Sequence, residues 1–259
     1  TAAGSALQTG VVREIKTTDA VPLFVHDGWR QRFPWLLQGT TGRGSADDEF
    51  DLSFFGRTPT GLIQARWQTV LAGTAFPAVV HARQVHHSQV LLHRNQQPGV
   101  SILPDADGHL TGTSGIVLAV SVADCVPVFL VDEVTRTIAL LHAGWRGIAA
   151  QILPRGVDFL LEHNGGSAAD VHCHLGPAIC GNCYEVGPEV HEALGQARPR
   201  HSLPIDLREV LKQQAFALGL RQQHITQSEF CTRCDNGLFF SHRAGDRGRQ
   251  MGLLGLRTP

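Results

Sequence analysis

Three polar residues stand where apolar runs give out: His86 after Arg83-Gln84-Val85, Cys125 after Val122-Ala123-Asp124, and His142 after Leu140-Leu141. Strand ends are rigid mounts for a site. One thiolate with two imidazoles is a sound zinc donor set, and three protein ligands leave the fourth position open for water or substrate. An open zinc lowers the pKa of its water towards neutrality. Spacing alone favours a plainer account, because the three are far apart in the chain. On that account Cys125 is a small buried apolar residue and the histidines are hydrogen-bonded core. His87 is a rival to His86, although along a continuing strand its side chain would point to the opposite face. Cys125 and His142 would also serve as nucleophile and base of a hydrolase.

Other chemistry is less well supported by its spacing. Cys180-Gly181-Asn182-Cys183 and Cys231-Thr232-Arg233-Cys234 are two C-x-x-C units, a zinc signal where they can meet. The stretch between them is longer than in a zinc ribbon, so reduced structural thiols are the plainer reading and a second metal stays open. His172-Cys173-His174 invites a copper reading, but a trinuclear site needs several His-x-His pairs, and type 1 copper usually adds a nearby Met. Met251 is the single methionine, so this segment reads as one strand with Cys173 facing opposite to the histidines. No H-x-E precedes a P-C-x-x-C, which excludes the common zinc-deaminase signature. Arg146 near a helix start is an anion candidate. Arg243, Arg247 and Arg249 are further candidates, because guanidinium forks match phosphate.

Rigid elements must position these groups. A chain of 259 residues with 42% hydrophobic and 17% charged residues can bury a sizeable core. A net charge of -1 argues against nucleic acid or an anionic membrane as a partner read by bulk charge. Thr1 to Gly10 lacks a charged start leading into an apolar stretch, so no secretory signal is expected, and the missing initiator Met suggests a trimmed or engineered start. A cytoplasmic location follows, where the six cysteines would stay reduced.

Val21 to Val25 and Phe33 to Leu37 read as edge strands, and Leu62 to Leu71 as a short helix. Ala78 to Arg83, Gln89 to His93, Gly115 to Ala123, Val126 to Asp132, Thr137 to Leu141 and Val171 to Leu175 are rich in Val, Ile and Leu and read as strands. A helix is expected from Gly144 to Glu162 with a kink at Pro154. Asp206 and Glu209 suggest a capping box for a second helix carrying Leu207, Val210, Leu211 and Leu218 on one face. Leu238 to Ser241 and Met251 to Leu256 read as β-like. The expectation is an α/β fold of the α+β type, a single domain over 1–259 with 1–10 flexible.

Read together, six ordered segments resemble one family over most of the chain. They are Arg83 to His86, Ala106 to Gly108, Ala123 to Val128, His142 to Gly147, Gly176 to Ile179 with Cys183 to Val186, and Phe239 to Arg243 with Gly248 to Gln250. The family is long labelled multicopper polyphenol oxidoreductase, or laccase-domain, and is now regarded as zinc purine nucleoside phosphorylases; it is also called the peptidoglycan editing factor family. The resemblance implies zinc on His86, Cys125 and His142 and two packed mixed sheets flanked by helices, similar to a cysteine-hydrolase-like fold. It implies phosphorolysis of adenosine, inosine, guanosine and S-methyl-5'-thioadenosine, with adenosine deamination as a second activity.

Arg146, Arg243 and Ser241 are then the candidates for substrate and phosphate, and Asp107 a candidate acid or base, although an Asp before Gly108 also suits a turn. The alternatives are a Cys–His amidase acting on a peptidoglycan precursor and a copper-dependent polyphenol oxidase. The sequence departs from the family form in Phe50 to Arg57, at Ala65-Arg66 and at Cys180, and the first two are segments expected to shape the substrate pocket.

Overall fold

The computed structural model describes residues 10–17, 19–45 and 47–258. Of the first ten residues, expected to be flexible, 1–9 lie outside the described residues, and Gly10 opens a strand.

Two seven-stranded mixed sheets carry the fold. The first has the order β1 (Gly10–Val12), β15 (Ile225–Ser228), β12 (Val171–Leu175), β10 (Val126–Asp132), β11 (Thr137–Ala143), β8 (Gly108–Thr111) and β6 (Val90–His93). The second runs β2 (Ile15–Lys16), β3 (Leu23–Val25), β4 (Leu36–Thr41), β16 (Gln250–Leu256), β9 (Ile116–Val122), β5 (Ala78–Ala82) and β7 (Gly99–Leu103). A short ladder joins β13 (Glu185–Val186) to β14 (Leu203–Pro204). The helices are α1 (Asp27–Arg32), α2 (Thr60–Thr74), α3 (Trp145–Ala149), α4 (Ile152–Asn164), α5 (Pro188–Ala193) and α6 (Leu207–Ala217).

The period-2 alternation of strands explains the layering. Phe129 and Val131 of β10 and Ile138 and Leu140 of β11 pack against Val80, Leu118, Val120 and Leu254 of the second sheet. The intervening Val128, Leu130, Ala139 and Leu141 face Ile148, Leu153, Val157 and Leu160 of α3 and α4 and Leu211 of α6. On the far side, Val79, Val117 and Leu253 meet Ile63, Trp67 and Val70 of α2. Central strands buried on both faces need apolar residues at nearly every position, which is why their sequence reads as unbroken apolar runs. Fully burying one such side chain is worth roughly 1.5–3 kcal/mol.

Several expectations are corrected. Val21 to Val25 and Phe33 to Leu37 contribute β3 and β4, which are interior and buried, because the C-terminal β16 inserts between β4 and β9. The kinked helix is two helices, broken at Gln151 with φ 65°. Pro154 lies in the first turn of α4, where its missing N–H loses no intrahelical bond. Leu238 to Ser241 is not a strand: the Asp235 carbonyl accepts from the N–H groups of Leu238 and Phe239 and closes a turn. Asp206 caps α6 by accepting from the Arg208 N–H at 2.9 Å, whereas Glu209 pairs with Lys212 at 2.6 Å instead of completing a capping box. Among the described residues, no helix is long and apolar enough to cross a membrane.

Candidate metal centre and active site

The site is assembled from three chain segments. His142 lies in β11, opposite Pro127 of β10, and alternation turns it to the same side as Ile138 and Leu140, towards the second sheet. Cys125 immediately precedes β10, after Asp124 at φ 86°. His86 follows β5 at φ 60°. Positive φ at non-glycine residues is a strained conformation that persists only where the surroundings enforce it, and it concentrates at functional sites.

Asp107 supplies much of that enforcement. Its buried carboxylate accepts the backbone N–H of Val85 at 3.1 Å, His86 at 2.9 Å and His87 at 2.8 Å. Its Oδ1 also lies 2.8 Å from Nδ1 of His142. Burial works against this carboxylate, but the bond to His142 and the backbone N–H groups outweigh it and hold its pKa below the ordinary value. Ionised Asp107 holds the His142 Nδ1 proton in that bond, so Nε2 is the ring nitrogen left to face Cys125. Gln84 ties the same loop to β9, its Nε2 donating to the Ser121 carbonyl at 2.8 Å and its Oε1 accepting from the Ser121 N–H at 2.6 Å.

The ligand atoms of His86, Cys125 and His142 all lie within 4.8 Å of one another. Tetrahedral zinc with these donors needs separations of roughly 3.3–3.8 Å, so small side-chain adjustments would close the set on an ion. The donor chemistry therefore fits a metal, and His87 lies outside the set. Burial pushes the Cys125 thiol up, yet the neighbouring His142 and His86 outweigh it and bring it down to about 6. Burial alone would lower His142, but Cys125 and Asp107 raise it to about 9. Gly144 completes the cradle, because a Cβ there would stand 2.8 Å from Cys125 Sγ and 3.1 Å from His86 Cδ2.

The three residues open onto a cleft of about 470 Å³, within the ~300–1,000 Å³ usual for small-molecule sites. Phe55, Arg83, Gln84, Ser121, His242, Arg247 and Arg249 line it. Arg146 and Arg243 are not among the lining residues. Arg243 stacks on Tyr184 with its guanidinium carbon 4.6 Å from the ring centre, and Arg146 stacks on Trp145 at 4.3 Å. Burial and then the Cys125 charge push the Tyr184 hydroxyl up, while Arg243 and Arg146 both act to lower it. Cys125, Tyr184 and the two arginines are thus electrostatic neighbours. Ser241 is fully buried, and its Oγ accepts from the Ala244 N–H at 3.2 Å.

Sequence reasoning missed the part played by Asp124. Its Oδ1 accepts from the Thr232 hydroxyl at 2.7 Å and its Oδ2 from the Arg243 N–H at 2.7 Å. That joins the Cys125 loop to two distant segments; in the sequence Asp124 stands only as a neighbour of Cys125 within the Ala123 to Val128 segment. Cys173 packs in the helix-facing core while His172 and His174 lie against Phe33 and Trp29 on the other face, as the strand reading expects. Met251 is buried beneath α2.

The family model for multi-copper polyphenol oxidoreductase laccase matches residues 47–257. A relative from Geobacillus stearothermophilus, the purine nucleoside phosphorylase YlmD, is 36% identical over 62% of this chain; the match spans 64% of that relative, less than two thirds of its length. The adenosine deaminase RL5 of an unknown prokaryotic organism is 32% identical over 66% of this chain and 71% of its own length. The crystal structure of YlmD from Geobacillus stearothermophilus superposes with a TM-score of 0.86 at 25% identity, covering 95% of this chain and all of that one. The layered fold and the matched span together place this chain in the multi-copper polyphenol oxidoreductase laccase family.

Proposed function

We propose that this chain is a zinc-dependent purine nucleoside phosphorylase of the cytoplasm, acting on adenosine, inosine, guanosine and S-methyl-5'-thioadenosine, with adenosine deamination as a second activity. The observation that carries this reading is the convergence of His86, Cys125 and His142 at the floor of a nucleoside-sized cleft. Relatives named for both activities support it. A zinc bound there would supply a Lewis-acid position for substrate or water.

The chain's own residues do the rest. Exposed Phe55 at the cleft offers a ring face on which a purine can stack. In phosphorolysis, phosphate attacks the ribose C1' while the purine leaves with the bonding electron pair. Arg146 and Arg243, outside the cleft lining but both acting on Tyr184 with Cys125, are the groups proposed to hold the anion, with Arg247 and Arg249 of the lining as further cations. Fixed cationic donors stabilise the charge that develops. Asp107, surrounded by four donors, acts as a positioning residue that keeps His142 oriented. Ser241 holds the turn that carries His242 and Arg243.

Purified protein of known metal content, incubated with adenosine and phosphate, tests the reading. Adenine with ribose 1-phosphate, or inosine, is the expected product; their absence at full zinc occupancy overturns it. One observation favours a second reading. Cys125, His142 and Asp107 form a nucleophile, base and orienting carboxylate in line, as an amidase acting on a peptidoglycan precursor would require. Such an amidase would keep its activity after rigorous chelation, whereas the phosphorylase would lose its activity and regain it with zinc.

A further inference from the structure

The two C-x-x-C units, separated by a long stretch of sequence, meet in the fold. The Sγ atoms of Cys180, Cys183, Cys231 and Cys234 all lie within 4.8 Å of one another, and those of Cys183 and Cys234 are 3.4 Å apart. None of these residues belongs to the cleft. We propose that they form a second metal site, closed and structural, that holds one zinc ion in a tetrahedral set of four thiolates.

Burial does not explain the cluster. A cysteine retained as a small apolar residue is expected inside, as Cys173 is. Cys234 is exposed, and Cys180 and Cys183 are only half-buried. Four neutral thiols gathered near the surface gain little from one another, because S–H is a weak donor and sulfur a weak acceptor. Four thiolates around a divalent ion form the closed set typical of structural zinc.

The local backbone is shaped for that role. Each unit is a tight turn: the Cys183 N–H donates to the Cys180 carbonyl at 3.0 Å, and the Cys234 N–H reaches Cys231 Sγ at 3.5 Å. The Cys180 N–H donates to the same sulfur at 3.2 Å. Two N–H groups aimed at one sulfur offset the negative charge that a zinc tetrathiolate accumulates. A bridge pairs Ala178 with Cys231, and the Thr232 N–H donates to the Ala178 carbonyl at 3.1 Å, so both turns are already held side by side.

The site would act as a staple. Its two segments are loops following β12 and β15, with short 3-10 or turn structure in place of long ladders. They lead into Tyr184, which carries Arg243, and include Thr232, which holds Asp124 beside Cys125. An ion tying 180–183 to 231–234 therefore fixes the segments that hold Tyr184 and Asp124 around Cys125, without touching substrate. Binding removes four thiol protons and closes a loop of about fifty residues, so it stabilises the folded state.

The test is a zinc titration of the full chain under reducing conditions, read as bound metal per chain after removal of free ion. Two zinc per chain are expected in the wild-type protein. The Cys183→Ser/Cys234→Ser variant and the His86→Ala/His142→Ala variant should each bind one. Should the cysteine variant fail to fold, cobalt loaded into the His86→Ala/His142→Ala variant remains decisive. It should give intense visible bands and sulfur-to-metal charge transfer of a tetrahedral tetrathiolate. Absence of bound zinc in a folded His86→Ala/His142→Ala variant overturns the proposal, whatever the wild type binds. So does recovery of Cys183 and Cys234 as a disulfide in zinc-saturated protein, or the absence of a cobalt–thiolate spectrum in the histidine variant.

Discussion

Asp107 Oδ1 lies 2.8 Å from Nδ1 of His142, and the same carboxylate accepts the N–H of His86. One buried side chain thus fixes the ring of one candidate ligand and the backbone of another. Replacing Asp107 by Asn keeps the volume but puts an NH2 group where an acceptor is needed, against either His142 or the 85–87 backbone. Partners of this kind typically contribute 10–100-fold to metal affinity. Asp107→Asn should therefore bind zinc about 10–100-fold more weakly in competition with a chromophoric chelator. An unchanged affinity would mean that His142 is oriented by something else.

Gly144 gives a more local probe. Its φ of -81° and ψ of 169° are open to any L residue, so Gly144→Ala introduces no backbone strain. The added methyl would instead stand 2.8 Å from Cys125 Sγ. The expected outcome is a Tm within a few degrees of wild type, with metal affinity and phosphorolysis both reduced by roughly tenfold or more, since moving reacting groups by ~1 Å can cost 10²-fold. Wild-type turnover with full metal occupancy would place the working site elsewhere.

These two residues also indicate what was legible in the sequence. Once β10 and β11 are placed, alternation turns His142 to the side of Ile138 and Leu140, but their apolar runs do not themselves show which side faces the second sheet. The interior strands announced themselves as unbroken apolar runs because both of their faces are covered. Asp107 read as a candidate acid or base, or as a turn residue, and not as the group that orients His142, because its four donors come from chain segments that no local pattern connects to it. The places of β3 and β4 depend on where the C-terminal β16 inserts, a pairing across more than two hundred residues. The two C-x-x-C units meet through the parallel register of β12 and β15, with Cys173 opposite Ile225, and spacing along the chain carries no trace of that.

The placement of Arg243 separates the two proposed activities. Its guanidinium stacks on Tyr184 and donates to the Glu185 carbonyl at 2.9 Å, and its backbone N–H holds Asp124. Arg243→Ala keeps the backbone bond and removes the charge. A hydrogen bond to a charged group is worth about 1.5–3 kcal/mol, so the KM for phosphate should rise by about tenfold or more. Adenosine deamination consumes no phosphate and should change far less. Equal losses in both reactions would show that Arg243 shapes the cleft and does not bind the anion.

Acid stability tests the buried histidines. Burial holds His26, His81, His93 and His172 down to about 4, and His109 well below its ordinary value. Each is neutral in both folded and unfolded chains above about pH 6.5, so they cost nothing there. As pH falls from about 6.5 towards 4, the unfolded chain takes up protons that the folded protein refuses, and stability falls. Acid also competes for metal-binding donors, so the comparison must hold the metal centre constant. His93 serves for this, because it is buried against His109, with Nε2 3.0 Å from Nδ1, and lies outside the metal set. His93→Gln can keep a hydrogen bond to His109 without titrating. Its Tm should drop less than that of wild type between about pH 7.5 and about pH 5. Identical drops, measured by calorimetry at equal metal loading, would remove His93 from the groups that set the acid limit.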